Sequence, residues 1–248
     1  MVETFDVSIT PYGLTRRTFV YLPDDWQTSG KKYPVLYMFD GHNLFFDSTA
    51  TYGTCWGLKE YCDAHPNWII AAPECNHEGN KRLEEYCPYQ SDWFGGITGT
   101  GHEYMEWLIK EFKPMMDKRY PTLPGRANTA IGGSSMGGLM SLYALLNHND
   151  VFSRAAALSP SIWVSPEKLD GLVGRAKLEP GTVLYMDYGS REMGNHDGMR
   201  KGFAEMCSKI MIRGIHLTSR LVPGGTHSEA SWEKQLPFVI HTLMYELD

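Results

Sequence analysis

The chain has 248 residues, of which 42% are hydrophobic, 12% aromatic and 21% charged, and its formal net charge is -6 at pH 7. This composition excludes a disordered or fibrous chain. The acidic balance argues against nucleic acid and against an anionic membrane surface as partners, because both attract a basic face. No linker, repeat or low-complexity tract divides the sequence, so we expect residues 1–248 to form a single domain.

The cysteines and the N-terminus bear on the cellular compartment. The five cysteines are odd in number and no two have the short spacing of a zinc or thioredoxin-type motif, so we expect free thiols in a reducing compartment. The first residues, MVETFDVSIT, are acidic where a signal peptide is basic, and no run of about 18 apolar residues occurs in the chain. The sequence therefore predicts a cytoplasmic protein.

The first half of the chain predicts a hairpin and then buried strands. Alternation in VETFDVSI and RRTFVYLP, joined by TPYG, is typical of an antiparallel hairpin. PVLYMFDG and WIIAAPE are continuous apolar runs, typical of strands buried on both faces, and WGLKEYCDA between them predicts a short helix. Apolar spacing predicts a further helix over Gly101 to Asp117. Asn43 to Cys55 and Glu74 to Thr100 are irregular and predict loops over a site.

The second half alternates strands with helices. NTAIGGS, AAALSP, TVLYMDYG and HLTSRLVPGG predict strands. MGGLMSLYALLNH, the stretch from Gly198 to Met211, and EASWEKQLPFVIHTLMYEL predict helices. Because such alternation requires crossover connections, we expect an α/β fold with a mostly parallel central sheet, helices on both faces and the antiparallel hairpin at its N-terminus.

One glycine-rich turn carries a nucleophile motif. AIGGSSMGGL lies where a predicted strand meets a helix and contains the pattern G-x-S-x-G over residues 133–137. A sharp turn there would lift the hydroxyl of Ser135 above the sheet, beside a helix N-terminus that favours developing negative charge. Ser135 is therefore the candidate nucleophile and Ser134 its small neighbour. The alternative is a turn that only packs the helix onto the strand.

A nucleophilic serine needs a histidine base downstream in the order of the α/β-hydrolases. His227, in PGGTHSEASW, lies in a glycine-rich loop between the last predicted strand and the last helix, where this base is expected. A histidine that only caps the following helix is the alternative role. His196, in the loop after YMDYG, is the weaker candidate for the base.

The acid that orients the histidine is expected near TVLYMDYG and its exit. Asp187 lies in the last part of the strand, where alternation fixes its direction. Glu192 falls in the loop beyond it, on the sheet edge where active sites of α/β proteins collect. We predict that Glu192 is the acid, with Asp187 as the competitor and Asp197 as a weaker one.

An oxyanion needs two N–H donors. The first is expected from Met136, which follows the nucleophile, and the second from the loop MFDGHNLF after the third strand. Gly41 allows a close approach there, so the backbone of His42 or Asn43 is the candidate second donor. The alternative is that this loop forms only a turn.

Several segments together resemble the putative-esterase branch of the α/β-hydrolases, which includes feruloyl and acetyl-xylan esterases, S-formylglutathione hydrolases, siderophore trilactone esterases and mycolyltransferases. They are RTFVYLPDDW, KKYPVLYMFDGHNLFFD, RLEEYCPY, NTAIGGSSMGGLMSLYALL, FSRAAALSPSIWV and MDYGSRE. The resemblance covers nearly the whole chain and implies an α/β-hydrolase fold. It implies that Ser135 is the nucleophile, His227 the base, and Met136 with the His42 region the oxyanion hole. Family members often carry aspartate as the acid, where this chain has Glu192.

The resemblance also implies residues that contact substrate. The SPSIW loop would border the pocket with Trp163, whose alternative role is a core aromatic. Arg82 and Tyr86, in the matching RLEEY segment, are candidates for binding polar substrate groups. A solvated Arg82 paired with Glu84 or Glu85 is the alternative.

These residues predict a serine carboxylic ester hydrolase that works through a covalent acyl-enzyme. No metal or organic cofactor is expected. The partner is a small-molecule ester, and sugar, hydroxycinnamoyl and siderophore esters remain open, as does the oligomeric state. An acyltransferase on the same fold and a binding protein that has lost its chemistry are the alternative functions.

Overall fold

The computed structural model describes residues 1–192 and 197–246, so His196 lies outside the described residues. The strands are β1 (Val2–Ile9), β2 (Leu14–Tyr21), β3 (Val35–Met38), β4 (Ile69–Pro73), β5 (Thr129–Ser134), β6 (Arg154–Leu158), β7 (Val183–Gly189) and β8 (His216–Val222). They form one eight-stranded sheet in the order β1-β2-β4-β3-β5-β6-β7-β8. The first two strands form the antiparallel hairpin, β2 also pairs antiparallel with β4, and every pairing from β4 to β8 is parallel.

Helices cover both faces of this sheet. They are α1 (Leu58–Ala64), α2 (Lys81–Glu85), α3 (Gly101–Trp107), α4 (Lys113–Arg119), α5 (Met136–Asn147), α6 (Pro166–Arg175), α7 (Asp197–Ile212), α8 (Glu229–Glu233) and α9 (Leu236–Leu243). Apolar residues of α3 to α7 share one hydrophobic cluster, and those of α1, α8 and α9 share another. The predicted fold, a mostly parallel sheet with an N-terminal hairpin and helices on both faces, is confirmed.

Two predicted helices are interrupted, and prolines account for both interruptions. The helix predicted over Gly101 to Asp117 contains a π-helical turn, Leu108–Phe112, between α3 and α4. Pro114 offers no N–H to the carbonyl four residues earlier, and a π turn accommodates that loss. The last helix is divided into α8 and α9, and Pro237 lies in the first turn of α9, where a missing N–H costs nothing.

The parallel strands and α5 form the centre of the fold. All residues of β3 to β7 are buried, and so are the first eleven of the twelve residues of α5. The five cysteines are buried and their thiols are free. Across the part of the chain that the structure describes, no helix has both the length and the apolar composition needed to cross a membrane.

Candidate active site

Ser135 occupies the turn between β5 and α5 in a backbone conformation that L-residues rarely adopt, with φ 57° and ψ -120°. The glycines on either side are required by contact. A Cβ at Gly133 would lie 2.9 Å from the carbonyl carbon of Gly137, and a Cβ at Gly137 would lie 2.9 Å from the Cβ of Phe39. The strand and the helix are therefore too close for a side chain at Gly133, and Phe39, just after β3, leaves no room for one at Gly137.

Hydrogen bonds tie this turn to the segment that follows β6. The Ser135 N–H donates to the Leu158 carbonyl at 3.0 Å, and the Ser161 N–H donates to the Ser135 carbonyl at 3.0 Å. The Ser135 side chain is partly exposed, and its Oγ lies 3.4 Å from the Ser161 Oγ. The backbone of the serine is thus fixed on both sides while its hydroxyl remains accessible.

Glu192 and His227 come together from two loops at the same edge of the sheet. Glu192 lies three residues beyond β7 and His227 lies between β8 and α8. The Nδ1 of His227 is 3.2 Å from the Oε2 of Glu192. The carboxylate is almost fully buried, whereas a quarter of the histidine side chain is exposed. The other ring nitrogen, Nε2, has no hydrogen-bond partner within the described part of the chain, so it can exchange a proton with a bound molecule.

The second carboxylate oxygen of Glu192 is anchored by donors. Its Oε1 accepts a hydrogen bond from the Gly189 N–H at 2.7 Å and a short one from the Ser159 hydroxyl. The Ser159 oxygen in turn accepts from the indole N–H of Trp232 at 2.9 Å. The Trp232 ring also meets the His227 ring edge-on, with centroids 5.2 Å apart. Gly189 and Ser159 therefore fix the carboxylate, and Trp232 connects Ser159 to the imidazole ring.

The other two candidate acids lie apart from His227. Asp187 is buried at the end of β7, where it accepts from the Ser159 N–H at 3.0 Å and from the Tyr185 hydroxyl at 2.9 Å. Burial raises the pKa of Asp187 to about 7. Asp197 is exposed at the start of α7 and pairs with Arg200. Of the three carboxylates, Glu192 is the one in contact with the histidine.

The expected oxyanion donors differ in whether their N–H groups are occupied. Met136 begins α5, where a helix leaves its first N–H groups unpaired. The N–H of Asn43 donates to the Asp40 carbonyl at 2.9 Å, so it is not available in this structure and the expectation for Asn43 needs correction. The N–H of His42 has no backbone acceptor among the described residues. Of the two residues expected to supply the second donor, His42 is the one whose N–H has no acceptor among residues 1–192 and 197–246, and so stays the candidate.

The His42 side chain is buried beside two further metal-ligating residues. Its Nε2 lies 3.0 Å from the Thr51 Oγ1, and its Nδ1 has no hydrogen-bond partner among the described residues. Burial lowers the pKa of His42 to about 4, so the ring is neutral. The ligand atoms of His42, Cys75 and His77 all lie within 4.8 Å of one another. These are the described residues that could hold a metal ion.

Arg82 and Tyr86 both bind Asp40, in the loop that follows β3. The guanidinium of Arg82 binds the Asp40 carboxylate through two hydrogen bonds of 2.7 Å. Burial opposes ionisation, but Arg82 holds the pKa of Asp40 below its usual value. Tyr86 has no exposed surface and its hydroxyl accepts from the Asp40 N–H at 3.3 Å, so the expected contact with substrate is wrong for this conformation. The alternative pairing of Arg82 with Glu84 or Glu85 is also wrong, since Arg82 pairs with Asp40. Glu85 binds Arg16, and Glu84 accepts from the backbone of Thr98 and Gly99.

An aromatic cluster forms beside the SPSIW segment. Trp163 is partly buried against the core, and its ring centroid lies 4.8 Å from that of Trp93 and 5.7 Å from that of Phe94. Trp93 and Phe94 are about half exposed and come from the second irregular loop. The cluster gives the surface beside Ser161 an apolar, aromatic wall.

A cavity of about 660 Å³ is lined in part by residues of α2. Four carboxylate side chains line it, and none of the expected site residues does: the four are Glu78, Glu84, Glu85 and Glu103. A cleft of this charge does not suit the carbonyl carbon of an ester as it becomes an oxyanion. The cavity is therefore separate from the candidate active site.

Sequence reasoning missed four contributors to this site. Ser159 and Trp232 anchor Glu192, Ser161 meets the nucleophile, and Asp40 binds Arg82. The positions of Ser159 and Ser161 could have indicated a role, because both serines follow a buried strand closely, at the sheet edge where the site was expected. Trp232 and Asp40 contact partners that are distant in sequence, so no local pattern indicated their roles.

The chain is similar to known proteins in sequence and in fold. The relative YbbA of Bacillus subtilis is 26% identical over 182 residues, which are 71% of this chain and 69% of YbbA. The siderophore triacetylfusarinine C esterase of Aspergillus fumigatus is 25% identical over 142 residues, 56% of this chain, and the chain spans about half, 48%, of that longer protein. A solved ferulic acid esterase has a TM-score of 0.74 at 21% identity, with 98% of this chain and 97% of that chain covered, and shares the fold.

A match to a sequence model of a protein family covers nearly all of the strands and helices described above. The sequence model of the family described as "Putative esterase" matches residues 12–241, from the hairpin to α9. Because that match takes in most of the chain, the protein belongs to the putative esterase family and is a carboxylic ester hydrolase.

Proposed function

We propose that the protein hydrolyses carboxylic esters through a covalent acyl-enzyme, with Ser135 as nucleophile, His227 as general base and Glu192 as the residue that orients the base. The observation that carries this proposal is the 3.2 Å contact between His227 and the buried Glu192, at the sheet edge where the strained Ser135 turn also lies. A nucleophile, a base and an orienting acid in this order match the α/β-hydrolase arrangement.

A series of contacts supports the pairing of Ser135 with His227. His227 packs on Trp232, which donates to Ser159. Two residues further on, Ser161 bonds the backbone of Ser135. A ring contact, two hydrogen bonds and the short backbone segment from Ser159 to Ser161 therefore connect the base to the nucleophile.

The reaction follows from the roles of these groups. The Ser135 hydroxyl attacks the ester carbonyl while His227 removes its proton, and the N–H groups of Met136 and His42 hold the oxyanion. Glu192 keeps the Nδ1–H tautomer of His227 and stabilises the imidazolium that forms. His227 then protonates the leaving alcohol and later activates water, which releases the acid from Ser135.

The proposed substrate is a small-molecule ester whose acyl group meets the aromatic cluster of Trp93, Phe94 and Trp163. A mostly apolar wall with a few polar groups suits such a ligand. The ferulic acid and triacetylfusarinine C esterases among the similar proteins are consistent with hydroxycinnamoyl or siderophore esters. We also propose one domain over residues 1–248, since all eight strands share one sheet, and a reducing, cytoplasmic location, since the buried thiols are free.

The test compares two neighbouring serines. Ser135→Ala should lower the rate of p-nitrophenyl acetate hydrolysis by roughly a millionfold, as loss of a serine protease nucleophile does. The matched control, Ser134→Ala, should keep most of the activity, because this side chain is buried beside the turn. A fluorophosphonate probe should label wild type and Ser134→Ala. Labelling of Ser135→Ala at the wild-type level would show that another residue is the nucleophile.

A further inference from the structure

We propose that the side chains of His42, Cys75 and His77 form a binding site for a divalent transition metal ion of the zinc class, separate from Ser135, His227 and Glu192. Their ligand atoms all lie within 4.8 Å of one another. Two imidazoles and a thiolate are a donor set that selects zinc and related metals over magnesium or calcium. With bonds of about 2.0–2.3 Å, tetrahedral ligand atoms lie about 3.5 Å apart, so the three side chains need to close only slightly.

Neighbouring strands bring two of these ligands together. His42 follows β3 and Cys75 follows β4, which pair in parallel, so their carboxyl ends meet at one edge. The loop that holds His42 is pressed onto β4, because a Cβ at Gly41 would lie 2.0 Å from the Ala72 carbonyl oxygen. His42 and Cys75 are each only 3% exposed. These two ligands are therefore the fixed part of the site.

His42 carries an observation that points to a ligand. Its Nε2 is 3.0 Å from Thr51 Oγ1, which fixes the ring in the way that the second nitrogen of a metal-bound histidine is usually fixed. Its Nδ1 is buried and has no hydrogen-bond partner among the described residues. A buried polar atom without a partner costs free energy, and a metal ion would supply the missing bond.

His77 supplies the movable part of the site. Its side chain is 54% exposed, and its ring centroid lies 4.6 Å from that of His42. An exposed imidazole can rotate to complete the coordination without disturbing the core. The Glu74 carboxylate, 3.8 Å from the His77 Nε2, adds negative charge beside the ion. When the ion binds, the Cys75 S–H bond is broken, a sulfur–metal bond forms and the proton passes to solvent.

The experiment is an optical titration of the purified full-length protein, stripped of metal and kept anaerobic with a phosphine reductant. Addition of Co²⁺ should produce a thiolate-to-cobalt charge-transfer band that reaches its full intensity at one equivalent of Co²⁺. Addition of Zn²⁺ should abolish this band. Cys75→Ala should lack the band, and the matched control Cys207→Ala, also a buried cysteine, should keep it. The titration does not depend on the proposed catalytic role of Ser135 and can be repeated on Ser135→Ala.

The histidine variants decide the outcome even if Cys75→Ala does not fold. His77→Ala alters an exposed side chain and should weaken Co²⁺ binding by roughly a hundredfold or more, since even the neighbours of metal ligands matter by 10–100-fold. His102→Ala is the matched control, because its side chain is 57% exposed and also lies near a glutamate. Absence of the band in wild type, or equal affinity in His77→Ala and His102→Ala, would overturn the proposal.

Discussion

The substitution Glu192→Gln tests how the proposed base is held, because the structure determines which way the amide must face. Gly189 N–H can only donate, and it points at the Oε1 position together with the Ser159 hydroxyl. The amide oxygen must therefore take the Oε1 position, since an NH₂ group there would face donors. The NH₂ group is then left at Oε2, 3.2 Å from the Nδ1 of His227 in the native protein.

The forced orientation reverses the tautomer of His227. An NH₂ group facing Nδ1 requires that nitrogen to accept, which places the ring proton on Nε2, where it cannot receive the proton of Ser135. Loss of the corresponding carboxylate in a serine protease costs about ten-thousandfold in kcat. We expect kcat to fall roughly a thousandfold to ten-thousandfold, about 4–5 kcal/mol of activation free energy, with KM nearly unchanged.

The assay is steady-state hydrolysis of p-nitrophenyl acetate, with circular dichroism melting to show that each variant is folded. Glu192→Asp keeps the charge but shortens the side chain, so it should recover part of the lost kcat. The matched control is Asp187→Asn, which alters the other buried carboxylate and should stay within tenfold of wild type. A folded Glu192→Gln within tenfold of wild type, together with an inactive Asp187→Asn, would refute the reasoning and make Asp187 the acid.

Two further predictions concern stability and specificity. Because burial raises the pKa of Asp187 to about 7 from 3.8, the folded protein holds a proton that the unfolded chain releases. The free energy of unfolding should therefore fall as the pH rises from about 4 to 7, by about 3 kcal/mol between pH 5 and 8. In denaturant titrations at several pH values, Asp187→Asn should lack this part of the pH dependence of the free energy of unfolding. An unchanged pH dependence in this variant would contradict the prediction. Trp163→Ala should change the kcat/KM ranking of acyl groups, with aromatic ones losing most, whereas the exposed Phe238→Ala should not. An unaltered ranking would give Trp163 a structural role.

The sequence predicted the sheet and the loops that meet at its edge, because both depend on local patterns. Continuous apolar runs marked the buried strands, and G-x-S-x-G marked the turn at Ser135. The order of residues along the chain favoured His227, and the position of Glu192 in the loop beyond the strand favoured it over Asp187; His227 and Glu192 lie in contact. Parallel strands explain this success, since their carboxyl ends share one edge whatever their separation in sequence.

The parts that could not be predicted depend on contacts between distant segments. Arg82 was expected to bind substrate or a neighbouring glutamate, but its partner is Asp40, 42 residues away. Asn43 and His42 were equal candidates as donors, and only the turn at Asp40 shows that the Asn43 N–H is occupied. Neither a pairing across the fold nor the occupancy of a single N–H group leaves a periodic signal in the sequence.

Backbone strain is concentrated where the proposed chemistry occurs. Asp40, Ser135 and Ser159 have φ values of 57°, 57° and 43°, and each lies within two residues of the end of β3, β5 or β6. Such conformations cost about 1–3 kcal/mol each and persist only where the surroundings hold them. Here Arg82 holds Asp40, and Glu192 holds Ser159. Because these bonds both offset the strain and position the reactive groups, a substitution that removes one should release the local backbone and misplace the site before it unfolds the sheet.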